Sequence, residues 1–318
     1  MTSPKHAHAT DRGRYYTRPG TGEQLISVTN VLSEAVSKPA LVPWAAKMTA
    51  EAAWDSLPRM VAAMRRPCDC RPTSSADRAV WVPCGRCAPC LSRHIKGAHK
   101  LAAETASDLG TRIHDRAEAH VTGRALPPDP EAEPFVEQYL RFLADFDIDL
   151  DRDIHSAEAS VADVRAGYAG TLDLLIRLPF DGVHDGAARK SAERQLFLVD
   201  IKTSKTRAAD SIYDEYALQL TALRRAHELW LPDDTITRMP PVFGTAVLNL
   251  RATTYALVPV PSGEPERRAW EGALAVAKWR HTSPTAAARP ITPDGREIPK
   301  TTRRATKKAA PAANRKAS

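Results

Sequence analysis

Residues 195–204 read QLFLVDIKTS, and residues 168–178 read YAGTLDLLIRL. Both runs have the apolar, β-rich texture of strands. In a strand, side chains at i and i+2 share a face. Asp200 and Lys202 are therefore expected to point the same way, while Ile201 packs into a core. An acid and an amine at this spacing can do two linked jobs. The carboxylate can hold a divalent cation through oxygen, and the lysine can stabilise charge on a phosphate or orient an attacking water. D-x-K alone is a weak signal, because many strands end in two solvated charges.

The surroundings add weight. Asp173 sits inside LDLLI and Asp200 inside FLVDIK. A carboxylate in such an apolar run is costly unless it is paired or metal-bound. Two such acids on neighbouring strands would converge on one cation. Glu158, in HSAEASV, is a third candidate one strand earlier. His114 closes GTRIH (110–114) on the helix ahead of the strands. A lone helical histidine is more often a bystander than a ligand. Glu118, one turn on, could orient it, or could be a solvated charge.

Working outward, HSAEASVAD, YAGTLDLLIRLP and QLFLVDIKTS read as three strands, with a long hairpin loop, DGVHDGAARKSAER, between the second and third. SIYDEYALQLTALRRAHELW has helical spacing, FGTAVLNLR and TYALVPV read as strands, and residues 265–281 as a helix. Upstream, GTGEQLISVTNVL reads as a turn and then a strand or helix start, capped at Thr29 or Asn30. LVPWAAKMTAEAAWDSLPRMVAAM, 95–122 and 131–146 have helical texture. The order is helices, then β-β-β-α-β-β, then a helix, which is an α+β (mixed α/β) plan. It divides into a disordered N-terminus (1–14), a helical N-terminal region (15–150) with a Cys-rich insertion (66–94), a core (151–283) and a disordered basic tail (284–318).

The series GTRIH, an acid in a first strand, GYAGTLD, LVDIKTSK and a following helix with YALQL resembles the RecB-like branch of the PD-(D/E)XK nucleases. It is similar to Cas4-type exonucleases and to a group of phage-encoded exonucleases. The resemblance spans about residues 15–260, with the Cys stretch as an insertion. It implies a restriction-endonuclease-like core, with a central mixed sheet flanked by helices. It also implies Mg²⁺ or Mn²⁺ at the active site and DNA with a free end as substrate. Under it, Asp173 and Asp200 are metal-binding acids, Lys202 is the catalytic lysine, Glu158 is the acid of the first strand, and His114 joins the metal sphere. Gln219 matches the glutamine of a Q-x-x-x-Y motif on the DNA-binding side. The tyrosine of that motif is replaced by Leu223, with Tyr216 as a stand-in. Helicase-nucleases of that branch often hold an iron–sulfur cluster on cysteines after the D-x-K strand, and this chain has none there. The implied function is a metal-dependent DNA exonuclease in recombination, repair or phage replication. A structure-specific endonuclease of the same fold and a non-catalytic DNA-binding module are the alternatives.

All five cysteines fall in one stretch, Cys68, Cys70, Cys84, Cys87 and Cys90. The C-x-x-C-x-x-C run is a metal signal, because short spacing lets thiolates converge. Zinc needs four ligands, so one cysteine is spare, and His94 is a sixth candidate. An iron–sulfur cluster and no stable metal remain open. The chain has 318 residues and a net charge of +7. Residues 284–318 carry nine Lys/Arg against two acids, so the tail holds the whole excess and suits a polyanion. With no apolar run of 18 residues and no apolar leader, neither a membrane span nor a secretory signal is expected, and the cytoplasm of a bacterial cell or phage-infected host is the expected compartment.

Overall fold

The computed structural model describes residues 5–10, 13–65, 70–72, 81–82, 84–184, 187–282 and 293. The chain opens with β1 (Ala7–Thr10), β2 (Gly13–Thr17) and β3 (Gln24–Ser27), then α1 (Val28–Ala35), α2 (Leu41–Asp55) and α3 (Leu57–Ala63). Two short strands, β4 (Arg71–Pro72) and β5 (Trp81–Val82), precede the long α4 (Ala88–Val121). α5 (Glu133–Asp145) and a single turn, α6 (Leu150–Asp153), lead into β6 (Ile154–Asp163), β7 (Tyr168–His184) and β8 (Ala187–Thr203). The remainder is α7 (Asp214–Arg225), β9 (Glu228–Trp230), β10 (Ile236–Arg238), β11 (Gly244–Leu250), β12 (Tyr255–Pro259) and α8 (Glu264–His281).

The expected α+β class holds: a mixed sheet is flanked by helices on both faces. β6, β7 and β8 run antiparallel in sequence, β8 pairs in parallel with β11, and β12 closes that edge antiparallel. Alternation along β8 sorts its side chains between two cores. Leu196 and Leu198 join Val31 of α1, Leu220 of α7 and Trp270 of α8. Phe197, Val199 and Ile201 face Ile113 of α4 and Tyr139 and Phe142 of α5. Period-2 patterning on a two-sided sheet thus dictates a three-layer arrangement. Gly170 is required by close packing: a Cβ there would come within 2.6 Å of Leu223 Cδ2 on α7.

Several details differ from expectation. Residues 7–10 are not disordered; they pair with β2, which reaches the central sheet through β3. The helical N-terminal region therefore also contributes sheet. The stretch read as a long hairpin loop continues the arms of the β7–β8 hairpin, with His184 opposite Ala187. HELW is not helix: α7 stops at Arg225, and β9 pairs with β6. α1 is capped by Ser27, whose Oγ accepts from Asn30 N at 3.0 Å. Asn30 instead clamps Arg14, accepting from its N–H (3.1 Å) and donating to its carbonyl (2.9 Å). Gly13 has φ +104°, and a Cβ there would strike that amide at 2.5 Å. Apart from residue 293, the basic tail lies outside the described residues. Among the described residues, no helix is long and apolar enough to cross a membrane.

Asp153 is fully buried at the entry to β6, held by Arg152 at 2.6 Å, Arg194 at 3.2 Å and the Asp149 N–H at 3.0 Å. Burial pushes its carboxyl up, but these partners outweigh it and hold the pKa below the usual aspartate range. A depressed folded-state pKa contributes stability that is present above the unfolded value of about 3.9 and is lost as pH falls through the folded one. Asp153→Asn should therefore cost about 1–3 kcal/mol at pH 7. Denaturant melts at pH 7 and pH 3 check this, and the gap between the two proteins should shrink at the lower pH.

Candidate functional site

The site is built on a fork in the sheet. The ladder between β7 and β8 reaches Leu174 opposite Val199 and goes no further, although β8 stays paired with β11 as far as Thr203. Asp173 and Asp200 stand one residue past the last rung. In place of a ladder carbonyl, Asp173 Oδ2 accepts the Ile201 N–H at 2.6 Å. On the other side of β7, the pairing with β6 runs Ala157–Leu174 and then Ala159–Leu172, passing over Glu158. Glu158 has φ +47°, the left-handed region that a non-glycine residue occupies at a cost. Asp173 is thus flanked by an interruption on both sides, and each interruption delivers an acid.

α4 supplies the third group. Ile113, fully buried, locks that turn of the helix against the sheet, so His114 reaches its end. His114 Nε2 lies 2.9 Å from the Ile201 carbonyl. A carbonyl only accepts, so Nε2 carries the hydrogen. In a neutral imidazole this leaves the Nδ1 lone pair aimed at Glu158 Oε1, 3.5 Å away, and Asp173 Oδ2, 3.6 Å away. One ligand atom from each of His114, Glu158 and Asp173 lies within 4.8 Å of the others. Burial opposes a charged imidazole, but Asp173 and Glu158 outweigh it and raise the His114 pKa to about 9. Burial likewise pushes the carboxyls of Asp173 and Asp200 up, and each is pushed further by a neighbouring acid, Glu158 for the first and Asp173 for the second. Buried acids held this close favour a proton or a cation among them. The donor set of one imidazole and two carboxylates fits a divalent ion.

Asp200 and Lys202 do share a face, as the i, i+2 spacing predicts, and Ile201 is buried on the opposite one. Lys202 Nζ lies 2.6 Å from Asp200 Oδ2, and Gln219 Nε2 donates to Asp200 Oδ1 at 2.9 Å. Asp200 therefore lines the same pocket but stands outside the three-residue donor group. Burial works against the Lys202 ammonium, yet Asp200 and Asp173 outweigh it and raise its pKa. Its Nζ is also 5.3 Å from the centre of the Tyr216 ring, a cation–π contact. Leu223, at the position of the expected tyrosine, is buried against Gly170, so it serves the core. Glu118 does not orient His114. It pairs with Arg124 at 3.1 Å, and the Ile201 carbonyl does the orienting.

The pocket has a volume of about 440 Å³ and also involves Arg14, Tyr16 and Thr171. Sequence reading missed these three. Tyr16 and Thr171 hydroxyls meet at 2.8 Å across the β2–β7 gap, and the Asn30 clamp fixes the Arg14 backbone at the rim. Only a tertiary contact places β2 here, so no local pattern could have marked them.

Of the five cysteines, Cys70, Cys84, Cys87 and Cys90 gather into one group that could hold a metal ion; Cys68 lies outside the described residues. His94 is not in the group and lines a neighbouring groove. No known protein-family model matches the chain, and no curated protein matches it either.

If the trio is a cation site, His114→Ala and Asp173→Asn should each weaken Mn²⁺ binding by at least about tenfold in calorimetry. Glu104→Gln, an exposed acid earlier on α4, should leave it unchanged. Wild-type affinity in Asp173→Asn would remove the trio as the site.

Proposed function

We propose that this chain is a metal-dependent deoxyribonuclease that hydrolyses phosphodiester bonds from a free DNA end. The observation that carries this reading is the convergence of His114, Glu158 and Asp173 beside Lys202 at the open end of the β7–β8 fork. It agrees with the resemblance to RecB-like PD-(D/E)XK nucleases seen in the sequence. His114, Glu158 and Asp173 would hold Mg²⁺ or Mn²⁺, with Asp200 lining the same pocket. When bound, such an ion polarises a phosphoryl oxygen and lowers the pKa of a water.

The chain's own residues supply the rest. Lys202 holds a protonated amine where negative charge develops on the phosphate. Gln219 fixes the Asp200 carboxylate, and Tyr216 steadies the amine from beneath. Arg14 offers a guanidinium at the rim, suited to a phosphate oxygen. Beside this pocket runs a larger groove of about 850 Å³ between α2, α4 and residues 203–206, sharing Ala106 and Thr203 with it. There Trp44 and Met48 supply apolar faces for bases, and Lys47, Arg59 and Lys205 supply charge for phosphates. Action on DNA ends in recombination, repair or phage replication, in the cytoplasm of a bacterial cell or phage-infected host, fits this chemistry.

End-labelled linear DNA, incubated with Mg²⁺, Mn²⁺ or EDTA, tests the proposal by release of acid-soluble nucleotides. Lys202→Ala should lower the metal-dependent rate by about 100-fold or more, and covalently closed circular DNA should resist. Cleavage of the circle would make the enzyme an endonuclease. A folded protein that binds DNA but releases nothing with either metal would make the chain a binding module.

A further inference from the structure

The nuclease reading leaves the four-cysteine group unused. It sits at the start of α4, toward the opposite end of the helix from His114. The sulfur separations are 3.3 Å for Cys70–Cys90, 3.7 Å for Cys70–Cys87 and 3.9 Å for Cys84–Cys90. A disulfide would need about 2.05 Å. Four thiolates around one zinc at about 2.3 Å form a tetrahedron whose edge is about 3.8 Å. The 3.7 and 3.9 Å separations bracket that edge, the 3.3 Å one is shorter, and all four sulfurs lie within 4.8 Å of one another. In a four-iron cluster each thiolate binds a different iron, which would spread the sulfurs well beyond these contacts. We propose that Cys70, Cys84, Cys87 and Cys90 hold a single tetrahedral zinc ion that fixes the start of α4 and the α3 helix leaning on it.

The local structure is arranged for thiolates. The Cys84 N–H points at Cys70 Sγ (3.5 Å), and the backbone N–H groups of Arg86 and Cys87 point at the Cys84 sulfur. Such N–H···S contacts orient ligands from outside the coordination sphere. Cys87 is the N-cap residue of α4 and Cys90 lies in its first turn, where the positive end of the helix dipole favours anionic sulfur. Both are buried. Arg59 of α3 donates to the Gly85 carbonyl at 3.2 Å, tying that helix to the knuckle. With four protein ligands no position remains for a substrate, so the site is structural. Four ligands also make Cys68 dispensable. The ion holds one wall of the groove, since both Arg59 and His94 line it.

The test is elemental analysis of the full chain, purified without added metal, in an Asp173→Asn background so that the carboxylate centre does not contribute. About one zinc per chain is expected. Cys87→Ser should lose it, and Cys68→Ser should keep it. Cobalt substitution of the unmutated cysteines should give the absorption bands of a tetrahedral tetrathiolate, which decides the matter even where Cys87→Ser does not fold. Removing the ion should speed amide exchange in α3 and the first turns of α4 by about tenfold or more. Iron with acid-labile sulfide, a folded protein free of metal, or loss of the ion in Cys68→Ser would overturn the proposal. None of these readouts depends on nuclease activity, so the site and the proposed function fail separately.

Discussion

The hydrogen bond from the Ile201 N–H to the Asp173 carboxylate is the contact on which this site depends. Where the β7–β8 ladder ends, the backbone amide would be left without a partner in a poorly solvated place, at a cost of about 1–3 kcal/mol. Asp173 satisfies it with a side chain instead of a carbonyl. The two strands are thereby free to diverge, and the divergence is the pocket. The same residue, Ile201, uses its carbonyl to hold His114. The backbone of one residue therefore sets both an acid and the imidazole, while its side chain stays buried between the sheet and α4.

Charge sets the second constraint. Asp173, Asp200 and Glu158 crowd one end of the sheet, and Lys202 and a protonated His114 balance them in the ion-free state. Neither cation is a bystander, because each is raised in pKa by the acids it faces. The strained φ of Glu158 sits between two paired residues, Ala157 and Ala159, which hold β6 to β7 on either side of it. The result is a site with more buried acid than burial by itself would permit.

Much of this was legible in the chain. The D-x-K spacing placed Asp200 and Lys202 on one face, and GTLD marked Asp173, because period-2 geometry follows from the backbone alone. Apolar runs located the strands of the core, and the Cys spacing located the thiolate group. Other features were not legible. The arms of the β7–β8 hairpin extend through a polar stretch, because cross-strand pairing held them where local composition suggested a loop. Glu228–Trp230 became a strand because β6 offered an edge, overriding the helical spacing before it. Residues 7–10 were ordered by β2 rather than by anything in their own composition.

The sequence by itself determined which chemical groups are present and which neighbours share a face, since these depend on covalent order and on the two short backbone periods. It also set the cost of burying Asp173 and Asp200, which marked them as candidates for pairing or a cation before any fold was known. Only the tertiary structure decided that Glu158 turns inward on a left-handed residue, that Ile201 rather than Glu118 orients His114, and that Gln219 holds Asp200. It alone brought Arg14 to the rim and drew Cys70 across from the C-x-x-C-x-x-C run. Each of these joins residues far apart in the chain, and such contacts form only where packing of the two cores sets the distance between elements.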